Sequence, residues 1–100
     1  MKQHLISPGA SQDLSEIIDY FVRVNIDAGE HFVDKFDKKC KSLANFPKMG
    51  RSYGNIKPDL RGVPLDNYII LYRVINSGIE IVRVVSGYQN LESLFAESDE

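Results

Sequence analysis

Cysteine is nearly absent from this chain, and long apolar runs are absent as well. The single cysteine, Cys40, cannot form an internal disulfide bond. No apolar run approaches the roughly 18 residues that a membrane-spanning helix needs, and the N-terminal residues lack the apolar segment of a signal peptide. These absences predict a soluble, cytoplasmic protein without a membrane partner.

An excess of positive charge is also missing, because 12 Lys and Arg residues face 14 Asp and Glu residues and leave a formal net charge of -2. Proteins that bind nucleic acid over a wide area neutralise phosphates with many lysines and arginines. Direct binding of nucleic acid is therefore not expected, although a local basic cluster stays compatible with this composition.

Candidate metal ligands are scarce in the sequence. The two histidines, His4 and His31, fall in separate predicted elements, and His31 with Cys40 supplies too few ligands for a metal site. Cys40 lies on the apolar stripe of a predicted helix, which favours a buried core residue over a nucleophile. We expect no metal and no cofactor.

The 100 residues, 43% hydrophobic and 26% charged, predict one domain over 1–100 that is organised around a β-hairpin. Two β-branched, aromatic-rich runs at 68–75 and 79–85 flank a turn signal at 76–78. Both runs are apolar on both faces apart from single charges, so both strands should be central and covered by helices on at least one face. The sequence allows a two-residue or a bulged turn, and the register stays open.

A short strand over 2–6 and a helix are predicted before this hairpin. Ser7 suits the N-cap and Pro8 the first helical position. Apolar residues at three-four spacing then extend the helix to about Val24 or Asn25.

A second amphipathic helix should follow a turn over 25–29, with Asp27 as its N-cap. It should stop at Phe46-Pro47, since proline lacks the amide donor. So short a link predicts an antiparallel helix hairpin that packs on the β-hairpin. Its two apolar stripes are Leu14, Ile17, Ile18, Phe21 and Val22, then Phe32, Val33, Phe36, Cys40, Leu43 and Ala44.

The remaining segments are predicted from turn chemistry. Residues 48–59 form an exposed connector, and a loop of this length in a small domain is often functional. A short strand over 60–63 and a turn over 64–67 should lead into the central hairpin. Asn90 could cap a short C-terminal helix. The fold class is therefore α+β, with an N-terminal strand and a helix hairpin on a mainly antiparallel sheet.

The order of these motifs resembles the ParE branch of the RelE/ParE toxin superfamily over nearly the whole chain. The resemblance rests on Phe46-Pro-Lys-Met-Gly-Arg51, Leu60-Arg61, and the paired strand ends Tyr72-Arg-Val74 and Val82-Arg-Val84. It implies the toxin half of a type II toxin–antitoxin system, of the kind that stabilises plasmids, neutralised by a cognate antitoxin. ParE members act on DNA gyrase, whereas RelE members cut messenger RNA on the ribosome. Ser86 stands where many relatives carry a histidine.

For a RelE-like ribonuclease, Arg61, Arg73, Arg83 and Tyr88 are the candidate catalytic residues, since arginines stabilise charge that develops on a phosphate. The competing interpretation is that Arg73 and Arg83 hold acidic partners or extend from strand ends into water. No second proton-transfer group lies nearby in the sequence, and tyrosine is poorly matched to neutral pH. A binding toxin without catalytic residues is thus favoured over the ribonuclease, with an inactive domain that sequesters an antitoxin as a third possibility.

The C-terminal segment is the candidate surface for binding the target. Aromatic and leucine side chains of this kind suit a protein interface, or they fold back to close the end of the sheet. The antitoxin should cover apolar surface on the helix hairpin and along the sheet edge, as a helix in a groove or an added strand. The candidate target-binding residues are Tyr88, Leu91, Leu94 and Phe95.

Overall fold

A computed structural model describes residues 3–87 and Leu91. The predicted order of one strand, two helices and a sheet is confirmed, and the predicted C-terminal helix lies outside the described residues apart from Leu91. The elements are β1 Gln3–Ile6, α1 Pro8–Val24, α2 Ile26–Asn45, β2 Arg51–Ser52, β3 Arg61–Leu65, β4 Tyr68–Ile75 and β5 Gly78–Ser86.

The described strands form a five-stranded sheet in the order β1-β5-β4-β3-β2, so the predicted hairpin strands β4 and β5 are central. β1 pairs in parallel with β5, and the other pairings are antiparallel, which confirms the mainly antiparallel sheet. Asn76 and Ser77 form the hairpin turn, whereas Gly78, predicted in the turn, is the first residue of β5. Gly78 has a φ of +149°, and a Cβ there would collide with the backbone of Gln3. Glycine therefore lets β1 lie beside β5.

One asparagine makes the connection between the helices. Asn25 is the C-cap of α1 and the N-cap of α2, where its side chain accepts a hydrogen bond from the Ala28 amide at 3.1 Å. The predicted turn over 25–29 and the predicted cap at Asp27 are therefore wrong. Gly29 belongs to α2, and a Cβ on it would lie 2.8 Å from the Phe21 Cβ, so glycine allows close approach of the two helices.

The main core lies between the helix hairpin and one face of the sheet. Phe36 and Leu43 are buried there as predicted, and Phe21 packs against this core while half-buried. The predicted stripes were too wide, because Ile18 and Val33 are exposed on the outer side of the hairpin. The buried residues of this core include Ala10, Ile17, Phe32, Phe36, Cys40, Leu43, Ile70, Tyr72, Ile79, Ile81 and Val84.

A second, smaller core covers the opposite face of the sheet. Leu60, Leu71 and Val85 are buried in it, and Tyr53 and Ile56 from the connector pack over them. The connector is thus only partly exposed, and it contains the short edge strand β2. The turn predicted over 64–67 is reduced to Asp66 and Asn67, because β3 continues through Leu65.

Candidate functional site

An apolar groove lies on the outer side of the helix hairpin, away from the sheet. Ile18 and Val22 of α1 face Ile26 and Val33 of α2 across it, and Phe21 and Gly29 complete its lining. The groove has a volume of about 550 Å³, which is within the usual range of ligand sites in proteins. Val22 and Ile26 are 58% and 60% exposed, so this surface offers apolar area to a partner.

The rim of the groove is acidic. Glu30, Asp34 and Asp37 lie along the α2 side. Asp34 and Asp37 pair with lysines one turn further along α2, at 3.0 Å each. Exposed pairs of this kind contribute little, so the carboxylates can exchange these lysines for basic groups of a partner. The groove therefore suits an amphipathic helix that carries both apolar and basic side chains.

Strand β1 supplies a second apolar surface, at the edge of the sheet. It pairs only with β5, and no strand in the described part of the chain pairs with its other backbone edge. Leu5 and Ile6 are 47% and 43% exposed on this strand. An open strand edge with apolar side chains is a site where an extended segment can add to a sheet.

Arg83 is held by α1. Its Nε and Nη2 donate to the Asp13 carboxylate at 2.7 and 3.0 Å, and the Arg83 and Asp13 side chains are 26% and 11% exposed. The Asp13 hydrogen bond raises the pKa of Arg83, against the lowering effect of burial. This guanidinium is therefore permanently charged and already paired.

A β-bulge explains how Arg83 reaches the helix. Leu71 pairs with Arg83 and Tyr72 with Ile81, which leaves Val82 as an extra residue in β5. The α1 end satisfies the backbone groups that the bulge exposes: the Ser7 hydroxyl donates to the Val82 carbonyl at 2.8 Å, and the Val84 amide donates to Asp13 at 2.9 Å.

Arg61 and Arg73 have other partners. Arg73 Nε donates to Glu80 across the β4–β5 pair at 2.6 Å. Arg61 Nη1 donates to the backbone carbonyl of Gly50 at 2.6 Å. Among the described residues, Arg61, Arg73 and Arg83 each bond a different partner, so they do not form one cluster. Tyr88, the fourth predicted catalytic residue, lies outside the described residues. The competing interpretation, in which Arg73 and Arg83 hold acidic partners, describes what they do here.

The candidate target-binding residues fall mostly outside the described part of the chain. Tyr88, Leu94 and Phe95 are not among the described residues. Leu91 is half-buried and packs against the second core, on the face of the sheet opposite the helices. Packing against the sheet is what the fold-back alternative predicts for this one residue.

Within residues 3–87 and Leu91, no group of three or more His, Cys, Asp or Glu side chains is arranged to hold a metal ion. Cys40 is buried in the main core, as predicted. Burial, followed by the Asp37 carboxylate, raises the pKa of its thiol to about 12, which leaves it protonated and unreactive near neutral pH. No helix in the described part of the chain combines the length and apolarity that crossing a membrane requires.

These features define a small α+β protein with an exposed apolar groove on the outer face of its helix hairpin. A family model described as the ParE toxin of the type II toxin–antitoxin system parDE matches residues 5–91. The chain therefore belongs to the ParE toxin family.

Known members of this family support the assignment. Toxin ParE1 of Mycobacterium tuberculosis is 31% identical over 85 residues, which cover 83% of this chain and 87% of that toxin. Toxin ParE3 of Caulobacter vibrioides is 27% identical over 59 residues, 59% of each chain. A solved structure of the chromosomal ParDE TA system from P. aeruginosa shares the fold, with a TM-score of 0.71 and 21% identity over 86% of this chain and 96% of that chain.

Proposed function

We propose that this ParE toxin inhibits DNA gyrase by binding it as a protein and does not cut RNA. The observation that carries the proposal is the engagement of Arg83. A ribonuclease needs arginine donors aimed at the position where phosphate charge develops. Here both donating nitrogens of Arg83 are directed at Asp13, within the fold.

The other two candidate arginines support the same conclusion. Arg61 anchors the backbone after α2, and Arg73 pairs with Glu80 on its neighbouring strand. An arrangement of separate structural contacts favours a toxin that acts by surface binding. Because gyrase works on the chromosome, this function places the toxin in the cytoplasm.

The test compares two activities of the purified toxin. We expect it to inhibit supercoiling by gyrase and to leave messenger RNA on translating ribosomes intact. Cleaved messenger RNA together with normal supercoiling would replace this proposal with the RelE-type ribonuclease. Normal supercoiling and intact messenger RNA, in a toxin that still binds its antitoxin, would instead favour a domain that only sequesters the antitoxin.

We also propose where the antitoxin binds. A toxin of a type II system has an antitoxin partner, and the groove on the helix hairpin has the shape and the apolar lining for a helix. The acidic rim calls for lysines or arginines on that helix. α2, which forms one side of the groove, also contacts β1, so we propose that an extended continuation of the same segment pairs with the edge of β1.

Two neighbouring valines of α1 provide a matched test of this site. Val22 lines the groove, whereas Val24 is equally exposed, at 62%, and does not line it. We expect Val22→Glu to weaken antitoxin binding at least about tenfold, because it places a charge where the apolar side chains of the antitoxin helix would be buried. We expect Val24→Glu to leave binding unchanged. Equal effects of the two substitutions, measured by calorimetric titration with the antitoxin, would exclude the groove as the docking site.

A further inference from the structure

A turn that several hydrogen bonds hold follows α2 and exposes two large apolar side chains. We call residues 46–51 the knuckle. Phe46 is 67% exposed and Met49 is 50% exposed. Neither side chain belongs to the two cores or to the groove on the helix hairpin.

Local backbone geometry fixes the knuckle. The Phe46 amide closes α2 by donating to the Ser42 carbonyl at 2.8 Å, and the Met49 amide donates to the Phe46 carbonyl at 3.0 Å. The second bond closes a β-turn with Pro47 at its second position, where proline presets the backbone. Phe46 and Met49 are the first and last residues of that turn and therefore lie close together.

Long-range contacts fix the knuckle a second time. Tyr72 is fully buried in β4; its hydroxyl donates to the Pro47 carbonyl at 2.6 Å and accepts from the Gly50 amide at 2.9 Å. A Cβ on Gly50 would collide with that hydroxyl. A buried polar group thus serves to hold a loop whose side chains point into water.

The charge around the knuckle is positive. Within the described residues, Lys48 and Arg51 have no carboxylate partner, and Arg51 lies over the Tyr53 ring at 5.1 Å. A cleft of about 450 Å³ beside the knuckle is lined by Lys48 and Arg61, with Asp59 as its acidic group. The surface therefore complements carboxylates on a partner.

We infer that the knuckle is the surface with which this toxin grips its target, and that the target presents an acidic segment with apolar side chains. The inference rests on the proposed function, in which that target is gyrase. Exposed apolar anchors that are already ordered lose little entropy on binding, which is the property of interface hot spots. Flanking lysine and arginine add charge complementarity and speed the encounter.

The position of the knuckle separates it from the antitoxin groove. The groove is lined on α2 by residues up to Asp37, and the knuckle begins at Phe46. Nine positions from Asp37 to Phe46 correspond to about 14 Å along the helix axis. Substitutions in the knuckle should therefore change target binding without changing antitoxin binding.

The experiment uses a double variant, Phe46→Ser with Met49→Ser, and a charge reversal, Lys48→Glu. The matched controls are Val24→Ser for exposed apolar area and Lys39→Glu for charge, because Lys39, like Lys48, has no carboxylate partner among the described residues. Binding of each purified toxin to immobilised gyrase is measured together with supercoiling, antitoxin binding and thermal melting. We expect both knuckle variants to bind gyrase at least about tenfold more weakly, while antitoxin binding and melting stay as in the wild type and both controls stay unaffected.

Each contrary result has its own meaning. Knuckle variants that bind gyrase as the wild type does would overturn the inference and leave the proposed function standing. Loss of antitoxin binding in the same variants would assign the knuckle to the antitoxin and overturn it as well. A wild-type toxin that does not bind gyrase would overturn the proposed function and, with it, this assignment.

Discussion

The two free ends of the helix hairpin are fastened to the same sheet by different chemistry. At the α1 end, Asp13 forms a charged pair with Arg83 of β5. At the α2 end, the neutral hydroxyl of Tyr72 in β4 holds the backbone of the knuckle. The side chains of the first attachment are themselves largely buried, at 26% exposure for Arg83 and 11% for Asp13, whereas the second attachment orders the exposed side chains of Phe46 and Met49. This difference separates a structural joint from a binding surface.

The α1 end is organised by the bulge in β5. The extra residue, Val82, leaves backbone groups without ladder partners, and buried groups of this kind must be satisfied. Ser7 accepts the Ala10 amide as helix cap and donates to Val82, so one hydroxyl serves both the helix and the bulge. The helix start and the strand irregularity therefore depend on each other.

Replacement of the core between the two ends should have the largest effect. Phe36 is 7% exposed between α2 and the sheet, and we expect Phe36→Ala to lower the free energy of unfolding by about 3–5 kcal/mol. The Asp13–Arg83 pair and the Tyr72 contacts to the knuckle should then be lost together, because both form only while the helix hairpin packs on the sheet. Urea unfolding followed by circular dichroism measures this, and an unchanged midpoint would contradict the packing described here.

Much of this fold could be predicted from the sequence. The central hairpin and the two helices follow from hydrophobic periods near 2 and 3.6 residues, and Ser7-Pro8 marks the start of α1. The parallel pairing of β1 with β5 could not be predicted, because the four residues of β1 contain no pattern that specifies a partner strand so far along the chain. Asn25 and Asp27 are both good cap residues, and their local sequence does not show which of them ends α1 and starts α2.

The site was less predictable, because the partners of charged residues are distant in sequence. Arg83 and Asp13 are 70 positions apart, and no local pattern links them. The sequence contains only an indirect sign of the groove: the predicted apolar stripes of the two helices hold more apolar residues than one core can bury. Ile18, Val22 and Val33 are the surplus residues, and all three are exposed in the structure.

Breaking the charged attachment should have the second largest effect. Asp13→Ala removes two hydrogen bonds to Arg83 and the acceptor of the Val84 amide. Since it leaves a partly buried guanidinium and an amide unpaired, we expect a loss of about 2–3 kcal/mol in unfolding free energy. Gln12→Ala, which removes only an exposed contact to Glu16, is the control. Equal stability of the two variants would show that the bulge needs no support from α1.

Breaking the neutral attachment should cost less stability but should loosen the knuckle. Tyr72→Phe keeps the buried ring and removes the hydroxyl that contacts Pro47 and Gly50. We expect a loss of about 1–2 kcal/mol and faster hydrogen exchange at the Gly50 amide. Exchange as slow as in the wild type would mean that the turn is rigid without Tyr72.

Raising the pH should have the smallest effect on stability, and it should affect the Tyr72 attachment but not the Asp13–Arg83 attachment. Burial raises the pKa of Tyr72 and that of Cys40 to about 12, so both groups stay protonated in the folded chain at a pH where the unfolded chain ionises. Stability is therefore complete below the ordinary thiol pKa of 9.0 and falls as pH rises toward the folded value. The α1 attachment should not respond in this range, because the raised pKa of Arg83 keeps its charge.

The measurement compares unfolding free energies at about pH 8 and about pH 10, where ionisation of the unfolded thiol should cost about 1 kcal/mol. Cys40→Ala is less stable at both values but should lose less between them, since it has no thiol to ionise. Tyr72→Phe should be less stable than the wild type at both pH values, and this difference should narrow only above the ordinary phenol pKa of 10.0, where ionisation of Tyr72 in the unfolded chain begins to destabilise the wild type. If the pH dependence of the wild type persists in Cys40→Ala, the Cys40 thiol already reaches solvent in the folded chain, and α2 must open locally around Cys40.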